Sequence, residues 1–403
     1  MKLRNYLLAL FCLLVFGAFG FLYVRTWVVP KTFGIILFVS DGMLAQHLTA
    51  ARLYDGGADH RLAIESFPNL ALLRNPAQDF AVPDEAAAAT ALATGVRVGH
   101  RHLAMDAGGR SIDSILELAR KRGRAVGLIT TGSPISPTPA AFYAHTADSR
   151  EGDKILEQFL GQAKFDVVLG GGARDFLPAT KGGLRKDNRD VLAEMQGKGW
   201  EIVRSKAELE KLPFYRTAPL AGFFSPGELA FSNQIESGSQ QPSLADMVQR
   251  AIEFLEVHSK GYVLVVDAGL ATSAAERNDG ERVITETLAL DRAIATADNY
   301  AGRNALILAV GKHGTGGFSL NGYPLVPDHG VALLGVNAAG QPAITWATGP
   351  NGPGAKDEPA AFQTPSALNT AEDVVGIGRG AGAERLRGFM DNTQIFTILK
   401  DAL

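Results

Sequence analysis

From Thr32 onward, unbroken apolar runs alternate with segments whose apolar residues recur at helical spacing. A run of Val, Ile, Leu and Ala with no polar alternation is the pattern of a strand buried on both faces. Phe33–Val39 (FGIILFV), Ala125–Thr130, Asp166–Leu169, Gly261–Val266 and Asn304–Val310 read this way. Helical spacing covers Ala86–Ala93, Ile112–Lys121, Asp190–Gln196, Ser243–Val257 and Glu286–Tyr300. Ile395, Phe396, Ile398 and Leu399 predict a last amphipathic helix over Asn392–Leu403. Strands alternating with helices predict an α/β protein, a three-layer α/β/α sandwich around a mainly parallel sheet covered on both faces. No internal repeat or linker divides this region, so residues 32–403 are expected to form one domain. Gly352, Pro353, Gly354 and Pro359 mark a surface excursion over Gly349–Pro359.

Ahead of that domain lies a different pattern. Tyr6–Val24 is uncharged and apolar throughout, between Lys2 and Arg4 on one side and Arg25 on the other. That matches the roughly 20 residues of a membrane-spanning helix. A cleaved signal peptide is the competing reading, but the run exceeds the usual apolar core of one and no Ala-x-Ala-like site precedes Arg25. Residues 1–31 are therefore expected to be an N-terminal membrane anchor and short linker. The leading positive charges favour a cytoplasmic N-terminus, although Arg25 and Lys31 weaken the bias. The expected location is a single span in the inner (plasma) membrane with the main domain periplasmic or otherwise extracytoplasmic.

The composition, 46% hydrophobic and 20% charged in 403 residues, supports a large core. A net charge of -3 argues against a nucleic-acid partner. Cys12 is the single cysteine and lies in the apolar run, so no internal disulfide can form.

Candidate chemistry begins where the first strand ends, at Ser40-Asp41-Gly42-Met43, because α/β folds bind ligands at the carboxyl ends of their strands. An aspartate there also serves as an ordinary turn or cap. Asp84-Glu85-Ala86-Ala87-Ala88-Ala89-Thr90-Ala91 follows, a run of small residues that lets a helix pack close to the sheet. Together these segments resemble the alkaline phosphatase family, in which an Asp-Gly-Met strand end supplies a metal ligand and an Asp-Ser-Ala-Ala helix start supplies the nucleophilic serine. The resemblance continues in order through Thr138-Pro139-Ala140-Ala141-Phe142-Tyr143-Ala144-His145, Leu169-Gly170-Gly171-Gly172-Ala173, Trp346-Ala347-Thr348-Gly349-Pro350 and Asn369-Thr370-Ala371-Glu372-Asp373-Val374.

The resemblance implies a serine nucleophile, two zinc ions and a neighbouring magnesium ion, and it allows each role to be checked on this chain. The nucleophile position holds Glu85, an anion where the substrate's phosphate must approach. The ligand positions of one zinc site hold Thr272, Glu276 and Asn369, of which only Glu276 is a credible ligand. At the other zinc site His313 and Asp41 remain, but Lys312 replaces a carboxylate. Asp328-His329 is a less favoured alternative to Lys312-His313. At the magnesium-type site Asp41, Thr138 and Asp267 occupy ligand positions, with Asp267 a shorter replacement for a glutamate and Ser136 in place of an aspartate. Arg150 stands near the position of the phosphate-binding arginine, one residue further from His145 than the family spacing; a solvated surface arginine is the equal alternative.

These substitutions lead to the expectation of a membrane-tethered alkaline-phosphatase-like protein without phosphatase activity, a pseudoenzyme with a binding or scaffolding role. No cofactor is expected. Zinc should not bind, and a weak magnesium site remains open. The partners implied are the membrane, an unidentified protein or a small anion, and a second copy through the family's dimer. The alternative reading is a divergent metal-dependent phosphomonoesterase that uses Asp41, Thr138 and Asp267. Removing metals from a cluster of acids leaves like charges in contact, so Lys312 is expected to join Glu85 and Asp41 as a fixed replacement for metal charge.

Overall fold

Gly34–Ser40 (β1), seven consecutive buried residues, runs through the centre of the molecule in the computed structural model. The structure describes residues 2–23, 33–40, 43–161, 164–213, 215, 218–321, 340, 342–350 and 361–403. Contacts divide the chain into Met1–Thr32 and Phe33–Leu403. In the first unit Lys2–Tyr23 is one helix, and its stretch Arg4–Tyr23 is apolar and long enough to cross a bilayer.

In the second unit the remaining strands of the main sheet are Asn69–Arg74 (β2), Ala125–Thr130 (β3), Val167–Gly170 (β4), Glu201–Val203 (β5), Leu220–Phe223 (β6), Tyr262–Ala268 (β7), Leu306–Gly311 (β8), Val374–Arg379 (β9) and Arg387–Asp391 (β10). Their order is β10-β2-β9-β8-β1-β7-β3-β4-β6-β5. Only β9 runs antiparallel to its neighbours, β8 and β2, so the sheet is mainly parallel. Five apolar runs in the sequence correspond to β1, β3, β4, β7 and β8. The strands β2, β9 and β10 lie towards one edge, where Gly376, Gly378 and Arg379 interrupt β9 and three residues of β10 are exposed. That half-covered edge carries no continuous apolar signal.

Both faces of the sheet are buried. Ile36 and Phe38 of β1 pack with Leu264 and Val266 of β7 on one side, against the helices Leu244–Leu255 and Gly280–Tyr300. Ile35, Leu37 and Val39 pack on the other, with Ile115 and Leu116 of the helix Ile115–Lys121 and Ile395, Ile398 and Leu399 of the helix Thr393–Ala402. This is the three-layer arrangement that the alternation of strand and helix predicts.

Helix boundaries follow capping chemistry more than apolar spacing. The helix Ile115–Lys121 starts after Ile112 because Ser114 and Glu117 form a capping box, with Ser114 N–H donating to Glu117 at 2.8 Å. The helix Gly280–Tyr300 starts ahead of Glu286 because the Asp279 carboxylate accepts from Arg282 N–H at 3.1 Å. The helix Glu85–Thr94 is buried from Ala86 to Thr94 and packs against Thr393–Ala402 and Pro137–Ala140. Its end is set by Gly95, whose positive φ of 73° favours glycine and whose missing Cβ leaves room for the Phe396 ring.

Two features of this frame are measurable. Asp84 caps the Glu85–Thr94 helix through Ala87 N–H at 2.8 Å, while its other oxygen accepts from Arg101 N–H at 2.7 Å. Asp84→Ala is expected to destabilise the fold by about 1–2 kcal/mol in urea unfolding, and Asp84→Asn by less. His145 presents Nδ1 to Ala104 O at 2.9 Å and Nε2 to Glu117 Oε1 at 3.0 Å. Burial alone lowers its pKa, but the Glu117 carboxylate and the Ala104 carbonyl together raise it above the ordinary 6.5. A raised folded-state value means that this stabilisation is complete below pH 6.5 and is lost as pH rises through the folded pKa. Unfolding midpoints measured across that window should fall with pH, and His145→Gln should remove this component of the fall.

Candidate functional site

Parallel strands end together, so their carboxyl ends bring residues distant in sequence to one place. In register, Val39 and Thr130 both stand beside Asp267 near the end of β7. The Asp267 carboxylate is buried, accepts a hydrogen bond from Thr130 Oγ1 at 2.7 Å, and its backbone carbonyl accepts from Thr131 N–H at 3.0 Å. On the other side of β1, Lys312 directly follows β8. Its N–H donates to Ser40 O at 2.9 Å, extending the ladder by one residue, and its carbonyl accepts from Asn75 Nδ2 at 2.8 Å.

This backbone grip turns the Lys312 side chain inward, where it is only 1% exposed. Its Nζ donates to Thr138 Oγ1 at 2.6 Å and lies 3.9 Å from Glu85 Oε1. Thr138 is buried in the short helix Pro137–Ala140, which Ser136 precedes as N-cap residue without a side-chain cap bond. Glu85 is the first residue of the Glu85–Thr94 helix and is 38% exposed at its side chain. An anion there gains roughly 0.3–1 kcal/mol from the helix dipole. The ammonium therefore links two helix starts that precede β8 in the chain by more than a hundred residues.

His313 is fully buried, with Nδ1 3.2 Å from Gly314 O and 3.5 Å from Thr315 Oγ1. Gly314–Thr315 pairs antiparallel with Asn369–Thr370, which brings Asn369 to the same end of the sheet. Asn369 Nδ2 donates to Pro83 O at 3.1 Å, while its Oδ1 lies 3.5 Å from Thr315 Oγ1. Asn369 thus ties the loop before Glu85 to the segment after β8. Thr272 is buried in the helix Leu270–Ala275, and its hydroxyl has no hydrogen-bond partner among the described residues. Glu276 follows that helix and is exposed; its carbonyl accepts from Ala367 N–H at 2.9 Å.

Arg150 is placed on the surface, where its guanidinium clasps both oxygens of Asp148, with Nη2 to Oδ2 at 2.6 Å. The Arg150 guanidinium holds the Asp148 carboxyl well below the usual carboxylate range, and Asp148 in turn raises the Arg150 pKa. Asp41 and the alternative pair Asp328-His329 lie outside the described residues, as does most of the Gly349–Pro359 excursion.

The donor chemistry can be set against the metals that the resemblance implies. Zinc takes three or four ligands from Cys, His, Asp and Glu. Here the corresponding positions present a buried threonine, an exposed glutamate, an asparagine committed to Pro83, and an ammonium. Among the described residues no group of three such ligands converges. At the magnesium-type position, the Thr138 oxygen accepts the Lys312 proton. Among the described residues His313 is the one buried zinc-type donor left at these positions, and the hydroxyl needed for a hard cation already serves the ammonium. What the site can do with its own groups is hold a cation-anion pair beneath a partly open carboxylate.

Spacing alone did not reveal the links from Lys312 to Thr138 or from Asn369 to Pro83. They join residues 174 and 286 positions apart, and only the strand order brings them together.

Residues 33–403 match the family model described as alkaline phosphatase. The chain is 31% identical over 299 residues to alkaline phosphatase 4 of Bacillus subtilis (strain 168), covering 71% of this chain and 62% of that protein, less than two thirds of its length. It is 30% identical over 420 residues to a streptomycin-6-phosphate phosphatase of Streptomyces griseus, covering 92% of this chain and 90% of that one. Among solved structures, the alkaline phosphatase of Thermus thermophilus superposes with a TM-score of 0.76 at 26% identity, over 93% of this chain and 92% of that one. The enzyme from the Antarctic bacterium TAB5 superposes with a TM-score of 0.73 at 21% identity, over 93% and 98% respectively, a likeness of fold. With its domain matched from residue 33 to residue 403 and its fold shared with these enzymes, the chain belongs to the alkaline phosphatase family.

Proposed function

We propose that this protein is a membrane-tethered member of the alkaline phosphatase family that does not run the family's phosphoryl transfer and acts as a binding or scaffolding module. The observation that carries the reading is Glu85. It stands where the resemblance puts the nucleophilic serine, at a helix N-terminus, with its carboxylate 3.9 Å from the Lys312 ammonium. A phosphate monoester approaching that helix start meets a carboxylate instead of a hydroxyl, and the developing charge of the transition state is not compensated. The ammonium that could attract the phosphate is buried against Thr138. Arg150, the candidate phosphate clamp, is engaged by Asp148.

The competing reading is a phosphomonoesterase of altered chemistry, supported by the phosphatase relatives and by Asp267 and Thr138 at one strand end. In that case Glu85 serves as a general base for water, the one role open to it without a covalent intermediate. A single assay separates the readings. The full chain, purified in mild detergent and supplied with zinc and magnesium, should hydrolyse p-nitrophenyl phosphate no faster than Glu85→Ala. Glu85→Ser alone should not start turnover, because Thr272, Lys312 and Asn369 remain. Metal-dependent hydrolysis that Asp41→Ala abolishes would establish the phosphomonoesterase instead.

The tether rests on the apolar helix Arg4–Tyr23, whose length and hydropathy suit one span. The flanking charges favour an inner-membrane protein with an extracytoplasmic domain. The full chain is expected in the membrane fraction after carbonate washing, with its original N-terminus intact. Release into the soluble fraction with a new N-terminus near residue 25 would make the helix a cleaved signal.

A further inference from the structure

We infer that the Lys312 ammonium is a built-in replacement for a divalent cation, so that this domain assembles its strand-end cradle without metal. Three observations carry this. The side chain is 1% exposed, which a lysine tolerates only when its charge is compensated and its protons are accepted. Nζ reaches Thr138 Oγ1 at 2.6 Å and Glu85 Oε1 at 3.9 Å, taking an oxygen and a carboxylate from two different helix starts as a hard cation would. Its backbone is held on both sides, by Ser40 O and by Asn75 Nδ2, so the inward direction of the side chain is imposed by the sheet.

The charge count makes the replacement specific. A cradle built for divalent cations gathers carboxylates that repel one another when the metals leave. Here Lys312 stands where the resemblance puts a carboxylate and pairs with Glu85, so the ammonium compensates that carboxylate locally. An ammonium also differs from a metal in kind: it is attached to the chain, cannot dissociate and cannot be chelated. The domain's stability should therefore be independent of free divalent cations, and a divalent cation should be excluded from the place that Nζ occupies. The inference rests on the reading without metal-dependent turnover, and metal content and the unfolding midpoint test it without any substrate.

The experiment is thermal unfolding of the full chain in detergent, with EDTA or with millimolar zinc or magnesium, together with elemental analysis of the dialysed protein. The wild type is expected to carry no stoichiometric metal and to show the same midpoint in all three conditions. Lys312→Asp places a carboxylate next to His313, at the position from which Nζ reaches Thr138. It should lose midpoint temperature in EDTA and regain it with zinc or magnesium, with metal retained through dialysis. Lys312→Met removes the charge with little change of volume. It should unfold at a lower temperature than the wild type in EDTA and recover part of the loss when magnesium is added. A wild type that holds stoichiometric metal or loses midpoint temperature in EDTA overturns the inference. So does a folded Lys312→Asp with no metal-dependent midpoint, and so does a Lys312→Met as stable as the wild type. Should neither variant fold, the wild-type measurement decides by itself.

Discussion

Much of the strand-end geometry depends on one buried charge. An ammonium withdrawn from water costs several kcal/mol after relaxation, and an ion pair at about 4 Å returns a few kcal/mol where the effective dielectric is near 20. The opposing terms are of similar size, so the pair as a whole adds little over an apolar pair of the same shape, whereas losing Lys312 alone strands the carboxylate it compensates. Its consequence is positional. Removing either partner leaves a charge in a place selected for both, and the helix starts at Glu85 and Pro137 are drawn to the end of β8. Glu85, the more exposed partner, retains access to water.

The surrounding frame makes this charge affordable. A wide parallel sheet buried on both faces holds its strand ends rigidly, and loops between adjacent ends inherit that precision. Asp267 is held by Thr130, Lys312 by Ser40 and Asn75, and the Glu85 helix by Asp84 and Asn369 through Pro83. The same frame in the family's enzymes presents a nucleophile and metals. Here its precision is kept while the groups presented are a glutamate, a lysine and amides. Precision of this kind belongs to the frame, and one frame can carry different functions.

Phosphoryl transfer is especially sensitive to such exchanges because the protein's contribution is almost wholly positioning and electrostatics. A glutamate at the helix start adds a negative charge where a serine would be neutral. Exchanging a carboxylate for a lysine reverses the sign of the charge at the metal position. The Lys312–Glu85 pair is neutral within itself. Arg150 fits the same pattern, since its guanidinium is already satisfied by Asp148 at the surface.

The amino-acid sequence by itself determined the layered α/β architecture, because the central strands are buried on both faces and need continuous apolar runs. It also determined the family, through motifs whose order survives substitution of the residues within them. Helix starts at Ser114 and Asp279 were less legible, since capping depends on a few polar atoms and not on periodicity. The strands β2, β9 and β10 towards one edge were missed because exposure in β2 and β10 and the glycines of β9 erase the apolar pattern, and the short β5 and β6 towards the other edge were missed as well. Only the tertiary structure decided that Lys312 points inward to Thr138, that Asn369 grips Pro83, and that Arg150 turns to Asp148. Those outcomes rest on strand order and register, which set distances between residues far apart in the chain and leave no mark on local spacing.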